Sequence, residues 1–327
     1  MSGVRHSLVI PVFNEEAVLR ELHRRLGASL SRALAERGES WEAIFVDDGS
    51  FDGTSAVLRA LREEDPAHVR VVAFSRNFGH AAAMTAGIDH AAGDTVITMD
   101  ADLQDPPEVV PQLIARWREG FDVVYGVRTE RKDETLFKKA TAALFYRLLR
   151  ASSEIEIPLD AGDFRLMSRR AALALSALRE RHRLLRGMSR WIGFRQTSVA
   201  YARDPRLAGE TKFSIRRMSR LAWDGFTSFS LLPLRLATIA GALAAALGAP
   251  LGVWVIAARL AGGPPLHRTA AVLAVVLVLG GLQLLALGIL GEYVGRLFEE
   301  IKRRPLYVVD HTLGWAEGGD AEAGPAR

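Results

Sequence analysis

The chain has 327 residues, a formal net charge of +4, 49% hydrophobic residues and no cysteine. The lack of cysteine excludes disulfide frameworks, thiolate zinc sites, iron–sulfur ligation and a cysteine nucleophile. A mean hydropathy of +0.09 beside 24% charged residues points to unlike parts in one chain, and a pI near 9.6 suits nucleic acid, an anionic membrane surface or a phosphorylated substrate.

In chain order, residues 7–13 form a continuous apolar run of the kind buried in a doubly covered parallel strand, and residues 15–37 follow with helical spacing. The unit then repeats. Strand 42–46 precedes helix 53–64, strand 69–74 precedes the Ala-rich helix 79–91, and strand 95–99 precedes helix 107–119 and strand 122–125. This alternation predicts an α/β fold with an open, mostly parallel sheet, whose ligands bind at the carboxyl ends of the strands. Polar residues gather just there: Asn14 and Glu15, Asp47 and Asp48, Arg76 and Asn77, Asp100 and Asp102, and Arg128. No G-x-G-x-x-G follows the first strand and no phosphate-loop lysine is present, which disfavours a nicotinamide or ATP site.

Further along, residues at about 135–150 and 211–230 alternate aliphatic and basic faces with aromatics, the pattern of interfacial amphipathic helices. Between them, residues 201–212 carry Arg203, Arg206, Gly209 and Lys212 and read as a mobile basic loop hinged at Gly209. Residues 236–258 and 269–291 contain no charged side chain. At a rise of about 1.5 Å per residue each can span a hydrocarbon core of about 30 Å. With a short Gly/Pro link they predict a two-helix transmembrane hairpin, with spans at about 234–258 and 269–292 inside a membrane region of 231–298. Arg216, Arg217, Arg220 and Arg235 precede it, and Arg296, Lys302, Arg303 and Arg304 follow it. The positive-inside rule therefore puts residues 1–210 and both termini in the cytoplasm, and the start carries no signal-peptide cleavage pattern. Residues 299–327 are expected to be a cytoplasmic tail, disordered from about residue 311, where Gly, Ala and Glu dominate.

The strand ends also suggest chemistry. Asp100, Ala101 and Asp102 set two carboxylates at a strand end, followed by Gln104 and Asp105. Hard oxygen ligands without His or Cys favour Mg²⁺ or Mn²⁺, which take few carboxylates and complete their shell with phosphate oxygens and water. An Asp-x-Asp is common in loops. A second acidic pair, Asp47 and Asp48, gives this one weight, because acidic residues beside a nucleotide diphosphate require a cation between them. Asp48 can instead accept hydrogen bonds from a base or ribose, and Gly49, Ser50, Asp52 and Gly53 suit a tight turn.

The runs V-I-P-V-F-N-E-E at residues 9–16, V-D-D-G-S at 46–50, R-N-F-G at 76–79, D-A-D-L-Q-D-P-P-E at 100–108 and G-D-F-R-L at 162–166 resemble family 2 glycosyltransferases of the GT-A fold. With G-E-Y at 291–293 and K-R-R-P at 302–305, they resemble the polyprenyl-phosphate glycosyltransferases within that family. These comprise the dolichol-phosphate mannosyltransferase-like group and its two-span bacterial bactoprenol (undecaprenyl-phosphate) glucosyltransferases. The likeness runs from about residue 5 to 310. It implies a Rossmann-like GT-A domain over residues 1–210 whose nucleotide-sugar pocket is lined by Pro11, Phe13, Glu15, Val46, Asp48 and Asn77. Asp100 and Ala101 would lie near the ribose and diphosphate, and Asp102, Gln104 and Asp100 are the candidate metal ligands. Arg128, Arg203 and Lys212 would meet phosphate charge, with Arg128, Arg131 and Arg206 assigned to the lipid phosphate. Asp163 is the implied catalytic carboxylate, with Asp160 as rival and Asp102 and Arg128 completing the catalytic set. His80 stands where the group commonly has Lys. Gly187 stands where processive synthases carry the Gln of Q-x-x-R-W, which disfavours polymer synthesis.

The implied reaction is inverting transfer of a hexose, glucose from UDP-glucose, to undecaprenyl or another polyprenyl phosphate at the bacterial inner membrane. The alternatives are mannosyl transfer from GDP-mannose, transfer of an N-acetylhexosamine or a modified arabinose, or a non-catalytic sugar-nucleotide-binding partner. Because a phosphate monoester is largely ionised at neutral pH, such an acceptor needs a positioning cation more than a general base. The resemblance further implies a homo-oligomer, a tetramer. Nucleic acid becomes the poorest explanation of the basic pI.

Overall fold

A computed structural model describes residues 5–129, 161–181, 183–203, 232–261 and 268–315. The expected amphipathic helices at 135–150 and 211–230, the hinge Gly209 and the link 262–267 lie outside the described residues. The chain divides into two units, one made of Met1–Tyr146, Ile155–Phe213 and Pro305–Arg327, the other of Arg147–Glu154 and Ser214–Arg304.

The first unit is built on a mixed eight-stranded sheet of order β7-β5-β6-β4-β1-β2-β3-β8. Its strands are β1 (His6–Val12), β2 (Trp41–Asp47), β3 (Val69–Phe74), β4 (Thr95–Thr98), β5 (Val123–Arg128), β6 (Ala161–Ser168), β7 (Gln196–Tyr201) and β8 (Val309–Leu313). β1 and β2 are buried at every position, as helices on both faces require of continuous apolar strands. Helix α1 (Leu19–Ala35) buries Leu19, Leu22, Leu26, Leu30 and Leu34, a single stripe at helical spacing. Each such leucine contributes about 1.5–3 kcal/mol by leaving water. Helices α2 (Thr54–Glu64), α3 (His80–His90) and α4 (Val110–Arg118) follow the expected alternation, with a 3₁₀ turn at Pro107–Val109 leading into α4. The Ala-rich composition of α3 lets it lie close on the sheet: a Cβ on Gly87 would come within 2.2 Å of the Val9 side chain.

β4, β1, β2 and β3 run parallel, whereas β6 pairs antiparallel with both β4 and β5, and β8 pairs antiparallel with β3. Short helices α5 (Arg169–Ala177) and α6 (Leu185–Trp191) connect β6 to β7. One expectation is corrected here. Residues from about 311 were expected to be disordered, yet His311, Thr312 and Leu313 pair with Ala73, Val72 and Val71. β8 caps the edge of β3, and an edge strand that faces water needs no apolar periodicity.

The second unit contains α7 (Leu232–Leu260) and α8 (Arg268–Ile301), which pack on each other. The two apolar windows fall within these helices. Among the described residues one segment, Val278–Ile301, is long and apolar enough to cross a membrane by length and composition.

Candidate active site

The carboxyl ends of β1 and β2 are tied together by their own loops. Asn14 adopts a φ of 57°, a left-handed conformation that Asn tolerates better than most residues. Its N–H donates to Ser50 Oγ at 3.0 Å, and its side-chain oxygen accepts from the Phe51 N–H at 3.0 Å. The Glu15 N–H donates to Thr54 Oγ1 at 2.9 Å, and the Ser50 N–H to Asp47 Oδ1 at 2.9 Å. Pro11 and Val46 face each other across the buried β1–β2 register. The Phe13 ring meets Phe51 edge-on at 5.8 Å, and Phe51 is 83% exposed.

Asp48 is buried. Its carboxylate accepts from the Phe78 N–H at 2.6 Å and the Gly79 N–H at 2.9 Å, and its carbonyl accepts from Asn77 Nδ2 at 3.1 Å. Burial pushes this carboxyl up, and the two N–H bonds only partly offset that. The sequence suggested an acceptor open to a base or ribose. The structure engages both carboxylate oxygens with the protein's own R-N-F-G loop.

That loop delivers His80, the first residue of α3, between two carboxylates: Nε2 lies 3.6 Å from Asp100 Oδ1 and 3.7 Å from Asp163 Oδ2. Burial works against the imidazolium, but Asp163 and Asp100 outweigh it and raise the His80 pKa. The antiparallel β4–β6 register, with Thr98 opposite Arg165, is what brings Asp163 to the end of β4. Thr98 Oγ1 donates to the Asp163 carbonyl at 2.5 Å. Arg165 Nη2 at 3.4 Å and Arg186 Nη2 at 3.6 Å also flank the Asp163 carboxylate. Burial alone would raise its pKa, yet His80, Arg186 and Arg165 hold it far below the usual carboxylate range. Asp163 is therefore ionised. Arg165 is itself pinned by Gly162 O at 2.8 Å, Leu185 O at 3.3 Å and Ser189 Oγ.

Asp100 behaves oppositely. Burial, with the Asp163, Asp105 and Asp102 carboxylates nearby, pushes it up to about 6 although His80 pulls it down. Crowded carboxylates whose protons are hard to remove suit a divalent cation, which would replace the proton. Among the described residues no three His, Asp or Glu side chains converge as a ligand set. Asp102 Oδ1 accepts the Gln104 N–H at 3.1 Å, closing the turn that holds Leu103 at a φ of 58°. Ala101 is buried.

A second cluster lies at the ends of β5 and β7. Asp105, 1% exposed, accepts a hydrogen bond from the Tyr201 hydroxyl. It also faces Arg128 Nη2 at 3.7 Å and Arg203 Nε at 3.9 Å. Arg128 and Arg203, assigned to phosphate from the sequence, thus share one buried counterion. Asp160, Arg131, Arg206 and Lys212 lie outside the described residues. Sequence reasoning did not assign Arg186, the shared counterion Asp105, its partner Tyr201, or a charge role for His80. The position of His80 directly after R-N-F-G was the one local signal. Asp105 stood in the D-A-D-L-Q-D run without a role, Tyr201 reaches it through β5–β7 pairing, and Arg186 reaches Asp163 from helix α6.

Residues 7–175 match the family described as glycosyl transferase family 2, and the chain belongs to that family. It is a glycosyltransferase built on a mixed α/β sheet. Among its relatives, an uncharacterized glycosyltransferase, YkcC, of Bacillus subtilis is 45% identical over 95% of this chain and 95% of its own length. A prophage-derived bactoprenol glucosyl transferase of Shigella flexneri is 40% identical over 93% of this chain and 96% of its own. A solved structure of glucosyl-3-phosphoglycerate synthase from Mycobacterium tuberculosis, with Mn²⁺, UDP-glucose and phosphoglyceric acid, aligns at a TM-score of 0.44 and 21% identity, covering 67% of this chain and 76% of that one.

Proposed function

We infer that this enzyme transfers glucose, with inversion, from UDP-glucose to a polyprenyl phosphate at the cytoplasmic face of a bacterial inner membrane. The observation that carries the reading is near-full-length similarity, 40% over 93% of the chain, to a protein named bactoprenol glucosyl transferase. The acidic and basic clusters at the carboxyl edge of the sheet support it. The apolar segment Val278–Ile301 supports membrane attachment, and the charge-free windows in α7 and α8 support a two-span hairpin with cytoplasmic termini. Homo-oligomeric assembly, as a tetramer, rests on the family resemblance.

Pro11, Phe13, Glu15, Val46, Asp48 and Asn77 would form the nucleotide side of the pocket. Asp102 and Gln104, with Asp100 beside them, would hold Mg²⁺ or Mn²⁺. When bound, that ion neutralises the charge that develops as the nucleoside diphosphate leaves. Asp163 stays ionised beside Arg165 and Arg186, which suits it to orienting the sugar and the acceptor before any proton transfer. Asp160 is its rival from the sequence. Arg128 and Arg203 would meet phosphate charge from their shared seat on Asp105, with Lys212 serving the donor and Arg131 and Arg206 the lipid phosphate. The acceptor is already ionised at neutral pH, so these cations matter more to it than a base.

The test is a panel of labelled nucleotide sugars offered to the purified protein with undecaprenyl phosphate and Mg²⁺ or Mn²⁺. Label from UDP-glucose should move into the organic phase. Transfer from another donor in preference would overturn the choice of sugar.

A further inference from the structure

The segment that follows α8 returns to the sheet and meets the loop that holds Asp48. Tyr307 stacks on Phe74, the last residue of β3, with ring centroids 5.1 Å apart and planes 12° from parallel. Phe74 packs edge-on against Phe78 at 5.6 Å, and the Phe78 N–H is the one that donates to Asp48 at 2.6 Å. The backbone adds a tie, because the Ser75 N–H donates to Val308 O at 3.1 Å. The far end of the same side chain reaches α3. The Tyr307 hydroxyl donates to Asp89 Oδ2 at 2.8 Å, and Asp89 also receives Arg179 Nη1 at 2.7 Å and the Ser176 hydroxyl. Asp89 lies in the last turn of the helix that His80 begins. One tyrosine therefore braces both the loop before α3 and the end of α3.

We propose that Tyr307 is a positioning residue, whose ring sets residues 76–79, and through them Asp48 and His80, for nucleotide binding. Only residues 302–306 separate it from the apolar helix ending at Ile301. The chain beyond the membrane segment thus completes the catalytic unit instead of trailing from it. This rests on the reading of the strand ends as a nucleotide site.

The two ends of the side chain can be tested separately. Tyr307→Phe keeps the ring stack and loses only the Asp89 bond, whereas Tyr307→Ala loses both. Tyr307→Leu, which keeps bulk without a ring face, stands in for alanine if that variant does not accumulate. Hydrogen exchange of the ligand-free full-length protein reads the loop directly. The Phe78 and Gly79 amides should exchange about tenfold faster or more in Tyr307→Ala, and at the wild-type rate in Tyr307→Phe. The Kd for UDP should rise about fivefold or more in Tyr307→Ala and stay unchanged in Tyr307→Phe. A merely structural role predicts that exchange follows Tm in both variants. That result, or wild-type protection in Tyr307→Ala, overturns the proposal. The exchange arm needs no ligand, so wild-type protein that failed to bind UDP would overturn the nucleotide reading alone, and the exchange result would still decide the positioning.

Discussion

Replacing Gly49 by alanine perturbs the point where the turn after β2 presses on the loop after β3. Gly49 has a φ of 70°, and a Cβ there would lie 2.5 Å from the Arg76 carbonyl carbon and 2.7 Å from the Asn77 nitrogen. A left-handed conformation costs a non-glycine residue about 1–2 kcal/mol. Those contacts are backbone atoms that cannot rotate away, and forced overpacking of this kind costs about 1–3 kcal/mol more. The sum, about 2–5 kcal/mol, corresponds to a fall in Tm on the order of 10 °C for a unit of this size. Displacing Arg76 and Asn77 also draws the Phe78 and Gly79 N–H groups off Asp48, so UDP affinity should fall with stability. Gly53→Ala is the control. Its Cβ would meet only the end of the Glu16 side chain, at 2.2 Å. That exposed group can swing aside, at a cost below about 1 kcal/mol. Thermal unfolding of the detergent-purified variants reads both. If Gly49→Ala melts within about 2 °C of wild type, the packing argument for this loop fails.

Asp102→Asn should leave Tm near the wild-type value while lowering metal-dependent turnover about a hundredfold or more; undiminished turnover would remove the metal assignment. Chelation of divalent ions should silence the wild-type enzyme, with activity restored by Mg²⁺ or Mn²⁺ in a steady-state assay. His80→Lys should retain most activity because it places a cation between Asp100 and Asp163, whereas His80→Ala should lower kcat about tenfold. Equal rates for the two variants would show that the charge is idle. The Arg170 pair holds the Asp122 carboxyl below its ordinary range, so its stabilisation is complete above that range and is lost as pH falls through the lowered value. The Tm gap between wild type and Arg170→Ala should therefore be constant near neutrality and close below about pH 4.

The strands legible in the sequence are those with continuous apolar runs: β1, β2, β3 and β4 begin and end within about two residues of expectation, the ordinary uncertainty of such boundaries. β6 escaped because Asp163 and Arg165 interrupt it with charge. Those charges are tolerated because each neutralises the other and Arg165 is further bound to backbone carbonyls. β8 escaped for the opposite reason, since V-D-H-T-L has the polarity of an edge strand and sits next to a low-complexity end. The same divide runs through the site. Asp48, Asp100 and Asp102 announce themselves by following apolar runs. Asp163 becomes a neighbour of Asp100 only through the antiparallel β4–β6 register, and Tyr201 reaches Asp105 only through β5–β7 pairing. His80 looked like a departure from a pattern that commonly carries Lys. In three dimensions its ring lies between Asp100 and Asp163, whose carboxylates favour its protonated form.

Glucosyl transfer to a lipid phosphate is read most directly by mass spectrometry of lipid extracts. The purified protein would be incubated with UDP-glucose, a divalent cation and undecaprenyl phosphate, with a parallel reaction lacking the lipid. A new lipid heavier than undecaprenyl phosphate by one hexose residue is expected, formed only when the lipid, the donor and the cation are all present. Hexose appearing on a water-soluble acceptor instead, or free glucose released at the same rate with and without the lipid, would contradict transfer to the lipid phosphate.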